Sequence, residues 1–409
     1  MLDYSKNKYT YVLFYLAYLS LAIFTEYPAV LSIKFIYRID VVFTALILAF
    51  FTVFLILNKN AIKNIRIHYL VFLLLIRLVV FVINASVIKV ESGHIASELI
   101  KTLYPIVLFT FSYNFLSDTK QEIKNLFVLF TLLLSVQLFL LFILNGFSLN
   151  KEKIVMGIGY SNYGATFLLL GVSYLAFTST NIFEKIVIGL GVLSILLTQS
   201  FGAYLALFVV IVIALVLKIN WKSKKSRMLF LISLLGVLLI LGLFFLTTLG
   251  SSVFDKIIEK LKYLFQGDFN SFGSSRIKLY TDTWQNIKQN IWFGNIENVI
   301  SNSAGVYKQT RAHNILLESL LNYGIVGTLI NIAIVVLIVL SIRKSLKNTK
   351  GNNPCLIALI AVLVHGLVEP NFFTIHFEFF VWLIIGALLN GKNTEKYSMP
   401  LFRIKTDIK

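Results

Sequence analysis

Residues 271–295, SFGSSRIKLYTDTWQNIKQNIWFGN, and residues 311–327, RAHNILLESLLNYGIVG, are two polar stretches set among segments apolar enough to lie in a membrane. In the first, Ile277, Tyr280, Trp284, Ile287 and Ile291 recur at alternating three- and four-residue steps, which predicts one apolar stripe on a helix. Ser274 or Ser275 fits the N-cap. Arg276 then falls in the first turn, where its charge adds to the free backbone N–H groups and the positive end of the helix dipole, a corner suited to phosphate. In the second stretch, Arg311, His313 and Asn314 open a helical run through Leu316, Leu317, Leu320 and Leu321 that Gly324 ends or kinks.

Working outward, 58% hydrophobic and 14% charged residues over 409, with a mean hydropathy of +0.83, exclude a soluble domain. The single Cys355 has no partner for a disulfide or a thiolate metal site. A net charge of +18 would point to nucleic acid in a soluble chain, but here the basic residues cluster between apolar spans, where they set topology, and no nucleic-acid partner is expected. Residues 1–10 and the apolar run after them lack a small-residue cleavage site and read as a retained signal-anchor.

Spans are expected near 10–25, 39–57, 68–87, 102–117, 125–146, 163–178, 184–200, 201–217, 228–250, 325–341, 354–369 and 372–390. The expected fold is therefore an all-α integral membrane protein of about twelve transmembrane helices in one polytopic domain, 1–409. A cytoplasmic N-terminus gathers Lys59, Lys63, Arg66, Lys120, Lys124, Lys185, Lys222, Arg343 and Lys347 on one side, whereas the other short loops hold only Lys34, Arg38, Lys89, Lys101, Lys151 and Lys153. The positive-inside rule then puts both termini in the cytoplasm and the long 251–312 loop, between the ninth and tenth helices, outside. Within that loop Phe254, Ile257, Ile258, Leu261 and Phe265 form another helical stripe, so interfacial helices roofing a cavity are expected, with the loop carrying part of the active site.

Other charged residues are open to two readings. Arg77, inside FLLLIRLVVFVI, needs a cavity or a partner such as Glu318 or Glu369 because a charge in lipid is costly. His365, Glu369 and His376 have the look of a metal site, but Pro370 breaks the helix after Glu369, which favours cavity-lining residues that bind sugar hydroxyls. Glu369 could tune His313 or simply face water. Arg276 and Arg311 could be headgroup anchors on a surface segment rather than ligands to substrate.

The late outer loop with Ser275-Arg276, Trp284 and Phe293-Gly294, followed by His313-Asn314 and then Gly324 and Gly327, resembles the O-antigen ligase and polymerase superfamily of membrane glycosyltransferases. The likeness covers residues 155–390 and includes Gly159-Tyr160-Ser161-Asn162-Tyr163-Gly164 and Thr198-Gln199-Ser200-Phe201-Gly202. It departs at Phe201, where many members, ligases especially, carry arginine. The resemblance implies a bacterial inner-membrane polymerase of O-antigen or capsule polysaccharide, acting on the outer face with undecaprenyl-diphosphate-linked oligosaccharides as donor and acceptor. It implies inverting transfer without metal, nucleotide sugar or ATP, with Arg276 holding the diphosphate and His313 serving as general base or orienting group. Arg311, Asn314, Ser275, Arg77, Asn162, His365 and Glu369 are the expected substrate-binding residues. A flippase and a chain-length regulator are conceivable partners. The rival within the superfamily is a ligase, and the rival outside it is a polysaccharide flippase or transporter.

Overall fold

The computed structural model describes residues 66–87, 92–115, 120–147, 155–156, 159–218, 276–295, 299–301, 307–309, 312–346, 354–369, 375–389 and 398–400, with Ala49 and scattered positions between 223 and 267. The expected spans at 10–25 and 39–57 and the site residues Ser275 and Arg311 lie outside the described residues. Among the described residues the helices are α1 (Tyr69–Val87), α2 (Ser92–Phe115), α3 (Lys120–Leu144), α4 (Ser161–Thr178) and α5 (Ile182–Leu197). They continue as α6 (Phe201–Lys218), α7 (Arg276–Gln289), α8 (Ile315–Leu346), α9 (Pro354–Gly366) and α10 (Ile375–Leu389). Windows within α1, α3 and α8 are long and apolar enough to cross a membrane, and α6 and α9 are shorter apolar helices.

The pattern of burial follows from lipid being the outer solvent. In α1, Leu70, Leu74, Arg77, Phe81 and Asn84 are buried, while Phe72, Ile76, Val79 and Ile83 are exposed. The inward stripe holds Arg77 and Asn84 and the outward stripe is apolar from Phe72 to Ile83, the reverse of a soluble helix. Small residues let helices approach: a Cβ on Gly386 of α10 would meet Ser112 and the Phe109 carbonyl of α2. The packing pairs α10 with α2, α9 with α4 and α6, α4 with α3 and α5, α8 with α1, and α7 with α8. Between α2, α3, α4 and α10 lie the buried aromatics Tyr104, Phe109, Phe127, Phe130 and Phe377.

Among the described residues, three short antiparallel pairs join ends of the chain path. Strands β1 (Arg66–His68) and β6 (Ser398–Pro400) pair with Arg66 opposite Pro400, which brings the segment before α1 and the segment after α10 to one end of the bundle. Strands β2 (Val155–Met156) and β3 (Gly159–Tyr160) lead into α4, and β4 (Val299–Ser301) and β5 (Tyr307–Gln309) form a hairpin between α7 and α8.

One boundary differs from expectation. α2 begins at Ser92 rather than near 102, because its polar first turns fall below a hydropathy threshold without being unable to form helix. α8 begins at Ile315, just after Asn314, and is broken at Gly324, as the helical run and its glycine predict. The buried face of α7 also differs from the expected stripe. Ile277 and Trp284 are exposed, and the helix turns Leu279, Thr283, Asn286 and Ile287 inward, with Ile287 packed near Leu321. The buried Thr283 and Asn286 satisfy themselves on their own helix, donating to the carbonyls of Leu279 (2.7 Å) and Asp282 (2.7 Å).

Candidate active site

Glu369, in the turn beyond the end of α9 and 3% exposed, is where the candidate residues converge. Its Oε1 accepts from Arg276 Nη2 at 2.7 Å and from Asn162 Nδ2 at 2.6 Å, and its Oε2 lies 2.9 Å from His313 Nδ1. Arg276 also donates from Nη1 to the Val368 carbonyl at 2.7 Å, so its planar fork grips the turn at two points. The cluster thus gathers the start of α7, the start of α4, the residues before α8 and the turn after α9. Burial pushes the Glu369 carboxyl up, but the His313 hydrogen bond and the charges of His313, Arg276 and His365 outweigh it, and the net displacement is below the ordinary 4.5. Glu369 is a carboxylate at neutral pH. Since a carboxylate only accepts, Nδ1 of His313 carries the proton and a neutral ring keeps its basic lone pair on Nε2.

Local chemistry places His313. Asn314 caps α8, its Oδ1 accepting from the N–H groups of Leu316 (2.9 Å) and Leu317 (3.1 Å), while its Nδ2 donates to the Leu367 carbonyl at 3.0 Å. Buried Glu318 reaches back from the first turn to accept the Ala312 N–H at 2.7 Å. Between these two anchors His313 takes φ 50°, a left-handed conformation that costs a non-glycine residue energy and gathers at functional sites. Tyr280 of α7 donates to the His313 carbonyl at 3.2 Å. Burial raises the Tyr280 hydroxyl above its ordinary value against the opposing pull of Arg276, so it remains a donor.

Behind Glu369, His365 is fully buried, with Nδ1 2.9 Å from Thr166 Oγ1 and Nε2 3.3 Å from Ser200 Oγ. Both ring nitrogens are occupied by hydroxyls, an arrangement that supports the turn carrying Glu369 rather than ligating a metal. Gly202, at the start of α6, lets that helix sit against Val368 and His365. Phe201 beside it is exposed.

Arg77 is not brought into this cluster. It pairs with Glu378 of α10 (3.3 Å) and donates to Tyr323 (3.1 Å), with its guanidinium 5.1 Å from the Tyr323 ring centroid. Neither carboxylate named as its partner from sequence is correct: Glu318 is committed to Ala312 and Glu369 to Arg276 and His313. The ion pair of Arg77 forms between helices far apart in sequence, which no local pattern reveals. The roles of Tyr280, Thr166 and Ser200 are not legible in the sequence. Tyr280 was visible only as an apolar stripe position, and the two hydroxyl residues carry no signal of their own.

No curated protein matches the chain. A family model described as O-antigen ligase matches residues 186–332, a stretch that runs from α5 to the middle of α8 and contains Arg276, Gly294, His313, Asn314 and Gly324. Arg276 and His313, which meet at Glu369, both lie in this stretch that is similar to the O-antigen ligase family.

Proposed function

We propose that the chain is an inner-membrane polysaccharide polymerase that joins undecaprenyl-diphosphate-linked oligosaccharides on the outer face of the membrane. The observation that carries this reading is the cluster of Arg276, His313 and Asn162 on one buried carboxylate, Glu369. A hydroxyl of the acceptor sugar attacks the donor's anomeric carbon from the face opposite the diphosphate. The new C–O bond forms as the bond to the diphosphate oxygen breaks, and the lipid diphosphate leaves with that electron pair. The hydroxyl proton passes to Nε2 of His313, whose ring is held by Glu369. Positive charge therefore appears on the imidazolium as negative charge grows on the leaving group. Arg276, whose guanidinium has N–H donors beyond those on Glu369 and Val368, neutralises the diphosphate where the charge develops.

A largely apolar groove of ≈ 410 Å³ between α8, α9 and α10 supports a lipid-linked donor. Its lining includes Ile315 and Leu316, next to the Asn314 cap, and Leu367, next to the Arg276-bound turn, and it runs down to Ile338 and Ile385. A polyprenyl chain lying there would leave its diphosphate at the Arg276 end. The pairing of β1 with β6 supports a common side for the chain before α1 and the chain after α10, taken here as the cytoplasmic side, with the 251–312 loop outside. Arg311 and Ser275 remain proposed ligands of the diphosphate, and Asn314 and His365 proposed supports of the sugar-binding face. Arg77, tied to Glu378, is proposed as a wall of the groove, which it lines.

The test is the banding of surface glycan in a deletion strain complemented with wild type, Arg276→Ala or His313→Ala at equal membrane amounts. The polymerase reading predicts a ladder with wild type and a single repeat unit on the surface with the deletion or either variant. Long chains accumulating on undecaprenyl diphosphate would instead identify the ligase. A full ladder from both variants would remove these residues from catalysis and favour a transporter.

A further inference from the structure

The break in α8 is filled from outside the helix. At Gly324 the backbone takes φ 61° and ψ −167°, and the interruption frees N–H groups on its far side and carbonyls on its near side. Packed against α1, these groups need protein partners. The turn after α7 supplies them. Ile325 N–H donates to the Ile291 carbonyl (2.9 Å) and Val326 N–H to the Trp292 carbonyl (3.1 Å), while Asn295 N–H donates to the Leu321 carbonyl (2.5 Å). Gly294 and Gly324 meet backbone to backbone, and a Cβ on either would fall on the main chain of the other segment.

One side chain closes the joint. Asn84 of α1, 2% exposed, places its Nδ2 2.7 Å from the Phe293 carbonyl and 3.3 Å from the Asn322 carbonyl, so a single amide bridges the turn and the broken helix. Its Oδ1 is buried without a hydrogen-bond partner. A buried amide half unsatisfied costs stability that a leucine of similar size would not. What the amide provides here is the pair of bonds made by Nδ2.

We propose that Asn84 is a positioning residue that locks the 290–295 turn into the α8 break and, through the length of α7, sets Arg276 against Glu369. α7 has 14 residues, a rigid rod of roughly 20 Å with the lock at one end and Arg276 at the other. A small rotation at the lock becomes a displacement of the guanidinium. Asn84 lies outside the stretch matched by the family model, so this link joins the matched region to the first described helix. The inference rests on the proposed role of Arg276, and its test separates the two.

The test uses the full chain in lipid nanodiscs with spin labels at Lys278→Cys on α7 and Ile332→Cys on α8. Both positions are exposed, and the native Cys355 is buried. The expected result is a narrow interspin distance distribution with Asn84, broadened about twofold or displaced by Asn84→Leu and largely restored by Asn84→Gln, which keeps the N–H donors. Polymer-forming turnover should fall about 10-fold or more with Asn84→Leu at equal protein and a near-equal melting temperature, in line with the cost of misplacing a catalytic group. An unchanged distribution in Asn84→Leu overturns the lock whatever the activity does. A broadened distribution with undiminished turnover, while Arg276→Ala abolishes turnover, overturns its bearing on the site. If Arg276→Ala is also fully active, it is the proposed function that fails, and the distances still decide the lock.

Discussion

Glu369→Gln is expected to lower turnover on the order of 10²–10⁴-fold while leaving the amount of folded protein close to wild type. The substitution keeps the shape of the side chain and changes what it can accept. Arg276 and Asn162 are both donors to Oε1, so the amide oxygen of glutamine turns toward them and its NH₂ toward His313. An NH₂ facing Nδ1 demands a lone pair there, which forces the neutral imidazole to carry its proton on Nε2. The atom that should take the acceptor's proton is then already occupied. The variant also removes the negative charge that stabilises the imidazolium.

The same carboxyl makes a pH prediction. Its folded value lies below its ordinary 4.5, so the ionised form is favoured by folding and its stabilising contribution is fully present above 4.5. That contribution is lost only as pH falls through the depressed folded value. The margin by which the melting temperature of wild type exceeds that of Glu369→Gln should shrink as pH falls below 4.5. A loss of turnover smaller than about 10-fold would reduce Glu369 to a structural anchor.

Gly324→Ala carries the second large effect, this time on the structure. With φ 61° and ψ −167° the residue occupies a region open essentially to glycine alone, and occupying it with a side chain costs about 1–3 kcal/mol. The added methyl would also fall on the Trp292 carbonyl and the Phe293 amide, both backbone atoms that cannot step aside without unseating the turn. The expected result is a fall in melting temperature together with new tryptic cleavage at Lys278 and Lys288 as α7 detaches. Gly189→Ala on α5 is the control. It has nothing within 4 Å of the new methyl and sits inside a helix, so it should be neutral or slightly stabilising. Equal behaviour of the two variants would mean that the break is not a fixed feature of α8.

The path from sequence to this arrangement was uneven for physical reasons. Positions of α1, α3, α4, α6, α9 and α10 were legible because apolar length is imposed by the bilayer and leaves a mark along the chain. The break at Gly324 was legible as a glycine inside a helical pattern, though its partner at Gly294 was not, since a backbone socket leaves no side-chain periodicity. Arg276, His313 and Glu369 each stood out as polar residues beside spans. Their meeting depends on how α7, α8 and α9 are placed in space, which the spacing within each segment does not encode. Arg77 shows the same limit more sharply: its burial was read correctly, but its partner sits 301 residues away in α10. The expected stripe on α7 failed because periodicity marks an apolar face without saying what that face meets. At an interface rich in lipid headgroups, Ile277 and Trp284 can face outward while Thr283 and Asn286 turn in.

The central claim is that Arg276 and His313 act on a lipid-diphosphate-linked glycan from one cluster around Glu369. It is tested most directly by single-turnover transfer with the purified chain in nanodiscs, using an undecaprenyl-diphosphate-linked repeat unit as donor and acceptor and detecting dimerised glycan and released undecaprenyl diphosphate together. Wild type should form both products in equal amounts, and Arg276→Ala and His313→Ala should each slow their formation about 10²-fold or more, with no further loss in the double variant beyond about 10-fold, because the two residues serve one step. Product formation by Arg276→Ala at the wild-type rate would contradict the account.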